Sequence, residues 1–252
     1  MTESVVVITG ALTGIGEATA HAFAQRSDIV VIADRRDYAG DRLAHDLRRA
    51  GAADALFVHA DVRFDRDLAD LVDATVKSYG RLDVAVNTAE TAGRPAPLVE
   101  VTPPQYNDVF GTNVLGTLLS MKHELRQMMR QGSGAIVNVA SIHGDKEFPN
   151  SALYVASKHA IIGLTRSAAL EAAPFGVPVH AIGPGYIDSA TSARINGSPE
   201  DQSPATSAIR PGRAERPDEI ADAIFLLSSG QVSDLTGQIL FPDSGVTGYE
   251  WS

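Results

Sequence analysis

Short apolar, β-branched runs at residues 4–9, 28–33, 55–59, 82–87, 134–140, 177–182 and 237–241 alternate with stretches of helical period at 15–26, 37–50, 65–79, 104–130, 152–173 and 217–229. The strand-like runs are apolar along their whole length, so both of their faces are buried. Such runs separated by helices predict a parallel sheet covered on both sides. The expected fold is therefore α/β: one doubly wound domain over residues 1–252, with a seven-stranded parallel sheet and helices on both faces. No linker, repeat or low-complexity tract divides the chain, and 252 residues suffice for a large core. The segment 186–216, rich in Ser, Pro and Gly, carries no firm element. Loops of that length in compact domains are usually functional, so it is assigned as a lid.

Composition removes several classes of function. The absence of cysteine excludes disulfides and thiolate metal sites. The seven histidines show no H-x-H or H-E-x-x-H spacing, so no metal site is expected. A net charge of −10 without a basic run argues against nucleic acid and anionic membranes as partners. No apolar run is long enough to span a bilayer, and the first strand begins at Val5, leaving no room for a signal peptide. A cytoplasmic protein acting on a small molecule is expected.

Two local patterns carry chemistry. The first strand runs into Thr9-Gly10-Ala11-Leu12-Thr13-Gly14-Ile15-Gly16. Glycines between a strand and a helix let the backbone approach a pyrophosphate, which the free N–H groups and dipole of the helix N-terminus then bind. The second pattern is Tyr154-Val-Ala-Ser-Lys158, with Ser141 upstream at the end of the fifth strand. Four residues are about one helical turn, so the lysine ammonium shares a face with the tyrosine phenol. A phenol titrates near pH ~10 in water and needs a neighbouring positive charge to serve as a base at neutral pH.

With these residues in place, the chain resembles the short-chain dehydrogenase/reductase family over residues 4–245, nearly its whole length. Thr9 to Gly16 is similar to the family's T-G-x-x-x-G-I-G cofactor loop, and Ser141, Tyr154 and Lys158 to its catalytic trio. Asn113, in Gly-Thr-Asn-Val-Leu-Gly, resembles its fourth active-site residue. Asp61-Val62 is similar to its adenine-contacting pair, Asn87-Thr88-Ala89-Glu90 to its N-N-A-G segment, and Pro184-Gly185 to its P-G motif.

The resemblance implies a Rossmann fold and hydride transfer between a nicotinamide cofactor and a secondary alcohol or ketone. Tyr154 would exchange a proton with the substrate oxygen. Lys158 would lower the tyrosine pKa and bond the nicotinamide ribose, and Ser141 would orient the substrate oxygen. Asn113 would hold a water linking Lys158 to solvent. Gly10, Thr13, Gly14, Ile15, Gly16, Asp61, Val62, Asn87, Ala89, Pro184, Gly185, Ile187 and Ser189 would join Tyr154 and Lys158 around the cofactor, with Ser189 at the carboxamide. His143 and Tyr186 would face the substrate. Asp34, ending the second strand, would accept both adenine-ribose hydroxyls and repel a 2′-phosphate, which argues for NAD over NADP. Arg35 either stacks on adenine or binds a phosphate if Asp34 turns away.

Two departures from the family pattern bear on the site. Glu90 stands where glycine is usual, because the backbone there passes close to the cofactor. Its side chain is expected to point to solvent; turned inward, it would weaken cofactor affinity. His180 replaces a common asparagine and is expected to be a buried, hydrogen-bonded imidazole. The small, polar residues from Ala190 to Arg210 argue for a polar or medium-sized substrate, such as a sugar, cyclic diol or hydroxyketone. The alternatives are a 3-oxoacyl thioester reductase, which Asp34 opposes, and a dinucleotide-binding regulator with little catalysis. Helices 104–130 and 152–173 commonly pair in relatives, and the stripe Ala160, Ile161, Leu164, Ala168 and Ala172 supports a homotetramer.

Overall fold

The computed structural model describes residues 3–187, 214–230 and 235–243. The strands are β1 (Val5–Thr9), β2 (Ile29–Asp34), β3 (Asp54–His59), β4 (Val84–Asn87), β5 (Ala135–Val139), β6 (Val179–Ile182) and β7 (Ile239–Leu240). They form one parallel sheet in the order β3-β2-β1-β4-β5-β6-β7. Chain order reverses between β1 and β4, and the crevice beyond the C-terminal ends of the strands at such a switch point is where open α/β sheets bind ligands.

The helices are α1 (Gly14–Ala24), α2 (Gly40–Arg49), α3 (Asp65–Tyr79), α4 (Pro103–Phe110), α5 (Gly116–Gln131), α6 (Ala152–Ala172) and α7 (Pro217–Ser228). β1, β4 and β5 are fully buried, which is why their sequences read as continuous apolar runs. On one face Val6, Ile8, Val30 and Ile32 meet Phe23, Leu47, Ile220 and Ile224; on the other Val7, Val31, Ala85 and Ile136 meet Leu68, Leu71, Met128 and Ala168. Alternate residues of each strand thus serve opposite layers.

The stretch 104–130 is one helical rod in outline but not in hydrogen bonding. A π-helical turn, Gly111–Leu115, separates α4 from α5. The backbone stays right-handed through Phe110, Gly111 and Gly116, so the segment runs on as a helix and only the hydrogen-bond pattern marks the break. Asn113, inside the wide turn, is fully buried.

Candidate active site

A cavity of about 590 Å³ lies along the strand ends at the switch point, from the loop after β1 to Tyr154 on α6. The β1 loop is shaped for close approach. Gly10 has φ +68°, and a Cβ there would come within 2.7 Å of the Ala89 backbone. A Cβ on Gly16 would run into the Gly10 carbonyl and the Thr88 hydroxyl, which itself donates to the Thr9 carbonyl at 2.6 Å. Only glycine lets α1 begin so near the loop after β4. Thr13, extended at the helix N-cap, makes no side-chain capping bond, so the N-terminus of α1 opens onto the cavity. This cradle, which side chains would fill, fits a dinucleotide pyrophosphate.

Two carboxylates border the same end, each held by the arginine two residues on. Arg36 donates from Nε and Nη2 to the two oxygens of Asp34, both at 2.9 Å, and its backbone N–H also bonds Asp34 at 3.1 Å. Arg63 grips Asp61 in the same way, with Nη2 at 2.5 Å, and the neighbouring guanidinium holds the Asp61 carboxyl below its usual range. Residues i and i+2 of an extended segment share a face, so the D-x-R spacing was the available signal for both pairs. Arg36 also reaches the Thr13 hydroxyl at 3.5 Å.

At the other end, Tyr154 and Lys158 sit on one face of α6, 4% and 1% exposed. Lys158 Nζ donates to the Val139 carbonyl at 3.0 Å and lies 2.6 Å from Glu90 Oε2. The Tyr154 hydroxyl donates to the same Glu90 oxygen at 3.0 Å. Burial and the Glu90 carboxylate push the phenol well above its ordinary range, against a smaller opposite effect of the Ser141 hydroxyl. Ser141 Oγ, at the tip of β5, accepts the His143 backbone N–H and contacts His143 Nδ1, both at 3.2 Å. His143 stacks on Phe148 and meets the Tyr154 ring edge-on; burial lowers its pKa to about 4, so the imidazole is neutral.

The enoyl-(acyl carrier protein) reductase family model matches residues 10–247. Cis-4-hydroxycyclohexanecarboxylate dehydrogenase of Sinomonas cyclohexanicum is 43% identical over 97% of each chain. A short chain dehydrogenase/reductase of Aspergillus oryzae is 32% identical, covering 96% of this chain and 94% of its own. The chain belongs to the short-chain dehydrogenase/reductase family. It is an oxidoreductase of secondary alcohols and ketones. Among solved structures, levodione reductase superposes with a TM-score of 0.94 at 27% identity, covering 99% of this chain and 100% of its own. An NAD+-bound xylitol dehydrogenase superposes at 0.90 with 30% identity over 96% and 98%, and the NADP-bound ElxO at 0.91 with 32% over 98% and 100%.

Measured against the short-chain dehydrogenase/reductase pattern, most expected residues line the cavity: Gly10, Thr13, Gly14, Ile15, Gly16, Asp34, Arg35, Asp61, Val62, Ala89, Ser141, His143, Tyr154, Pro184, Gly185 and Ile187. Asn87 lies behind it, its amide donating to Glu124 and Asn138 at 3.0 Å. Asn113 is spent on the loop after β4: it accepts from the Thr91 N–H at 2.8 Å and donates to the Thr91 carbonyl and to Ser157, both at 3.0 Å. Tyr186 packs with Ile142, Phe148 and Phe241 instead of lining the cavity. Ser189 and most of the 186–216 lid lie outside the described residues.

Two further expectations are corrected. Glu90 points inward: it does not adopt a positive φ, so a side chain is tolerated at the usual glycine, and the buried ammonium of Lys158 draws the carboxylate in. His180 is fully buried as expected, but neither ring nitrogen has a hydrogen-bond partner among the described residues. Arg36 and Thr91 were missed. The first had the D-x-R spacing as its signal; the second had none.

Proposed function

We propose that this enzyme is an NAD-preferring dehydrogenase of polar, medium-sized cyclic secondary alcohols, working reversibly on the corresponding ketones. The observation that carries the reading is Tyr154, one helical turn from the buried Lys158, at one end of a cavity whose other end is a glycine cradle under the α1 N-terminus. When bound, the nicotinamide supplies or accepts the hydride. Gly10, Gly14 and the first turn of α1 would hold the pyrophosphate, and Asp34 the adenine ribose.

The protein's own part is proton movement and orientation. Ser141 Oγ donates to the substrate oxygen when His143 Nδ1 carries the proton that bonds Ser141, leaving the serine hydrogen free. Tyr154 Oη gives its proton to that oxygen in reduction and takes it back in oxidation. His143, neutral and packed between Phe148 and Tyr154, serves by holding Ser141 through Nδ1.

NAD is favoured because Asp34 puts a carboxylate where a 2′-phosphate would sit; Arg36 offsets part of that charge, so the preference is modest. The cyclic-alcohol assignment takes its support from the relative acting on a hydroxycyclohexanecarboxylate. A homotetramer and a cytoplasmic setting remain part of the reading. Ile161, Ala168 and Ala172 serve the chain's own core, whereas Leu115 in the π turn, Leu118 on α5 and Leu170 on α6 stay exposed. No described helix is long and apolar enough to cross a membrane.

The test is turnover on a panel of cyclic secondary alcohols and ketones, cis-4-hydroxycyclohexanecarboxylate included, with NAD and NADP. Highest efficiency on a cyclic alcohol with NAD is expected. Equal or better efficiency with NADP would overturn the cofactor choice, and inactivity despite tight dinucleotide binding would turn the reading to a binding protein.

A further inference from the structure

Glu90 is a charged group that the mechanism above leaves unused. It sits in the loop after β4, and that loop is pinned rather than loose: the Asn113 side chain from the π turn bonds both the N–H and the carbonyl of Thr91, next in sequence. A single oxygen, Oε2, accepts from Lys158 Nζ at 2.6 Å and from Tyr154 Oη at 3.0 Å. The Lys158 ammonium stands 5.3 Å from the centre of the tyrosine ring, whereas the carboxylate contacts the phenol oxygen directly. Among the described residues, charged or titratable groups face Tyr154 from four segments. They are Lys158 on its own helix, Glu90 from the loop after β4, the neutral His143 from the segment after β5, and Arg94, which lines a small cleft with Tyr154.

Resting on the proton role given above to Tyr154, we propose that Glu90 is a third member of the acid–base unit. Its carboxylate offsets the Lys158 charge at the phenol and keeps the tyrosine proton in place, so the site is set to donate a proton before it takes one. The physical basis is the sign of the nearest charge. An ammonium alone beside a phenol favours phenolate; a carboxylate accepting the phenol hydrogen bond favours the protonated form. With both present and the carboxylate in contact, the protonated form wins. Reduction then proceeds from the resting protonation state, whereas oxidation must first remove a proton that Glu90 holds.

Glu90→Gln tests this, because the amide keeps the shape and can still accept both hydrogen bonds but carries no charge. The acidic limb of the pH profile for alcohol oxidation is expected to move down by about one unit or more, which is about tenfold faster oxidation on that limb, with ketone reduction at neutral pH no faster. Glu90→Gly, the usual family residue, should move the limb the same way and guards against a fault peculiar to glutamine. Cofactor dissociation constants, read from nucleotide fluorescence on the same proteins, supply a readout independent of turnover. An unmoved profile in both variants, or tighter cofactor binding with an unmoved profile, would overturn the proposal and leave Glu90 as a plug in the cofactor site. Tyr154→Phe run alongside separates the two readings. Retained turnover in that variant would remove the Tyr154 mechanism itself, whereas lost turnover with an unmoved Glu90→Gln profile would remove only the role of Glu90.

Discussion

The two ends of the cavity both hold carboxylate–cation pairs, and the pairs differ in what surrounds them. At the β1–β2 end, Asp34 with Arg36 and Asp61 with Arg63 lie at the rim, each guanidinium side chain 37% exposed. At the α6 end, Glu90 meets a Lys158 side chain that is 1% exposed. A guanidinium that already reaches solvent is screened and loses little on swinging away, so the rim can exchange a guanidinium for a ribose at little cost. A buried ammonium cannot lose its partner without leaving a charge uncompensated. The end proposed for the cofactor is therefore adaptable, and the end proposed for proton transfer is fixed by its own charges.

The largest expected effect lies at the fixed end. Tyr154→Phe should lower turnover by about 10²-fold or more, the range for losing a general acid–base, while cofactor affinity stays near that of the parent. Steady-state kinetics beside a binding titration checks both halves, and survival of most of the activity would break the contrast between the ends.

Behind the fixed end lies a buried polar ladder, in which Asn87 bonds Glu124 and Asn138, and Asn138 bonds Thr165. Burial pushes the Glu124 carboxyl up from 4.5 to about 7. A group whose folded pKa is raised contributes stability that is present below its unfolded pKa and lost as pH rises to the folded one. The parent should thus lose on the order of 3 kcal/mol between about pH 4.5 and 7 that Glu124→Gln does not lose. Urea midpoints of both proteins at the two pH values test this, and parallel pH dependence would contradict it.

Cofactor affinity should respond next. Glu90→Gly removes a carboxylate from the lining of the cavity that would take an anionic cofactor, and should tighten the cofactor dissociation constant by roughly tenfold, about 1.4 kcal/mol. The smallest effect belongs to the rim: Arg36→Ala should shift the NAD to NADP preference several-fold toward NAD, with little change in melting temperature. A gain in NADP affinity would show that Arg36 does not moderate the Asp34 charge.

The sheet and its helices were readable because burial on both faces writes itself as continuous apolar runs, and all seven strands fall within or beside the expected stretches. The glycine loop was readable for a similar reason: Gly10 and Gly16 answer steric demands at fixed spacing from a strand and a helix. The inward turn of Glu90 was not. It depends on a lysine 68 positions away and on Asn113 fixing Thr91, and tertiary charge pairing of that kind leaves no periodic trace. The π turn escaped for a different reason, since the backbone at both of its ends keeps right-handed helical angles. Arg36 lay between these cases, legible from its spacing to Asp34 but overshadowed by the adjacent Arg35.

Ionisation of Tyr154 in the cofactor-free protein tests the charge balance at the fixed end most directly. It can be followed by tyrosinate absorbance as the difference between the parent and Tyr154→Phe, and again between Glu90→Gln with and without Tyr154→Phe. The parent phenol is expected to stay protonated above the ordinary tyrosine range, and the Glu90→Gln phenol to ionise at lower pH than the parent. A parent Tyr154 that ionises below the ordinary range, or one whose titration the Glu90 charge does not move, would contradict the account.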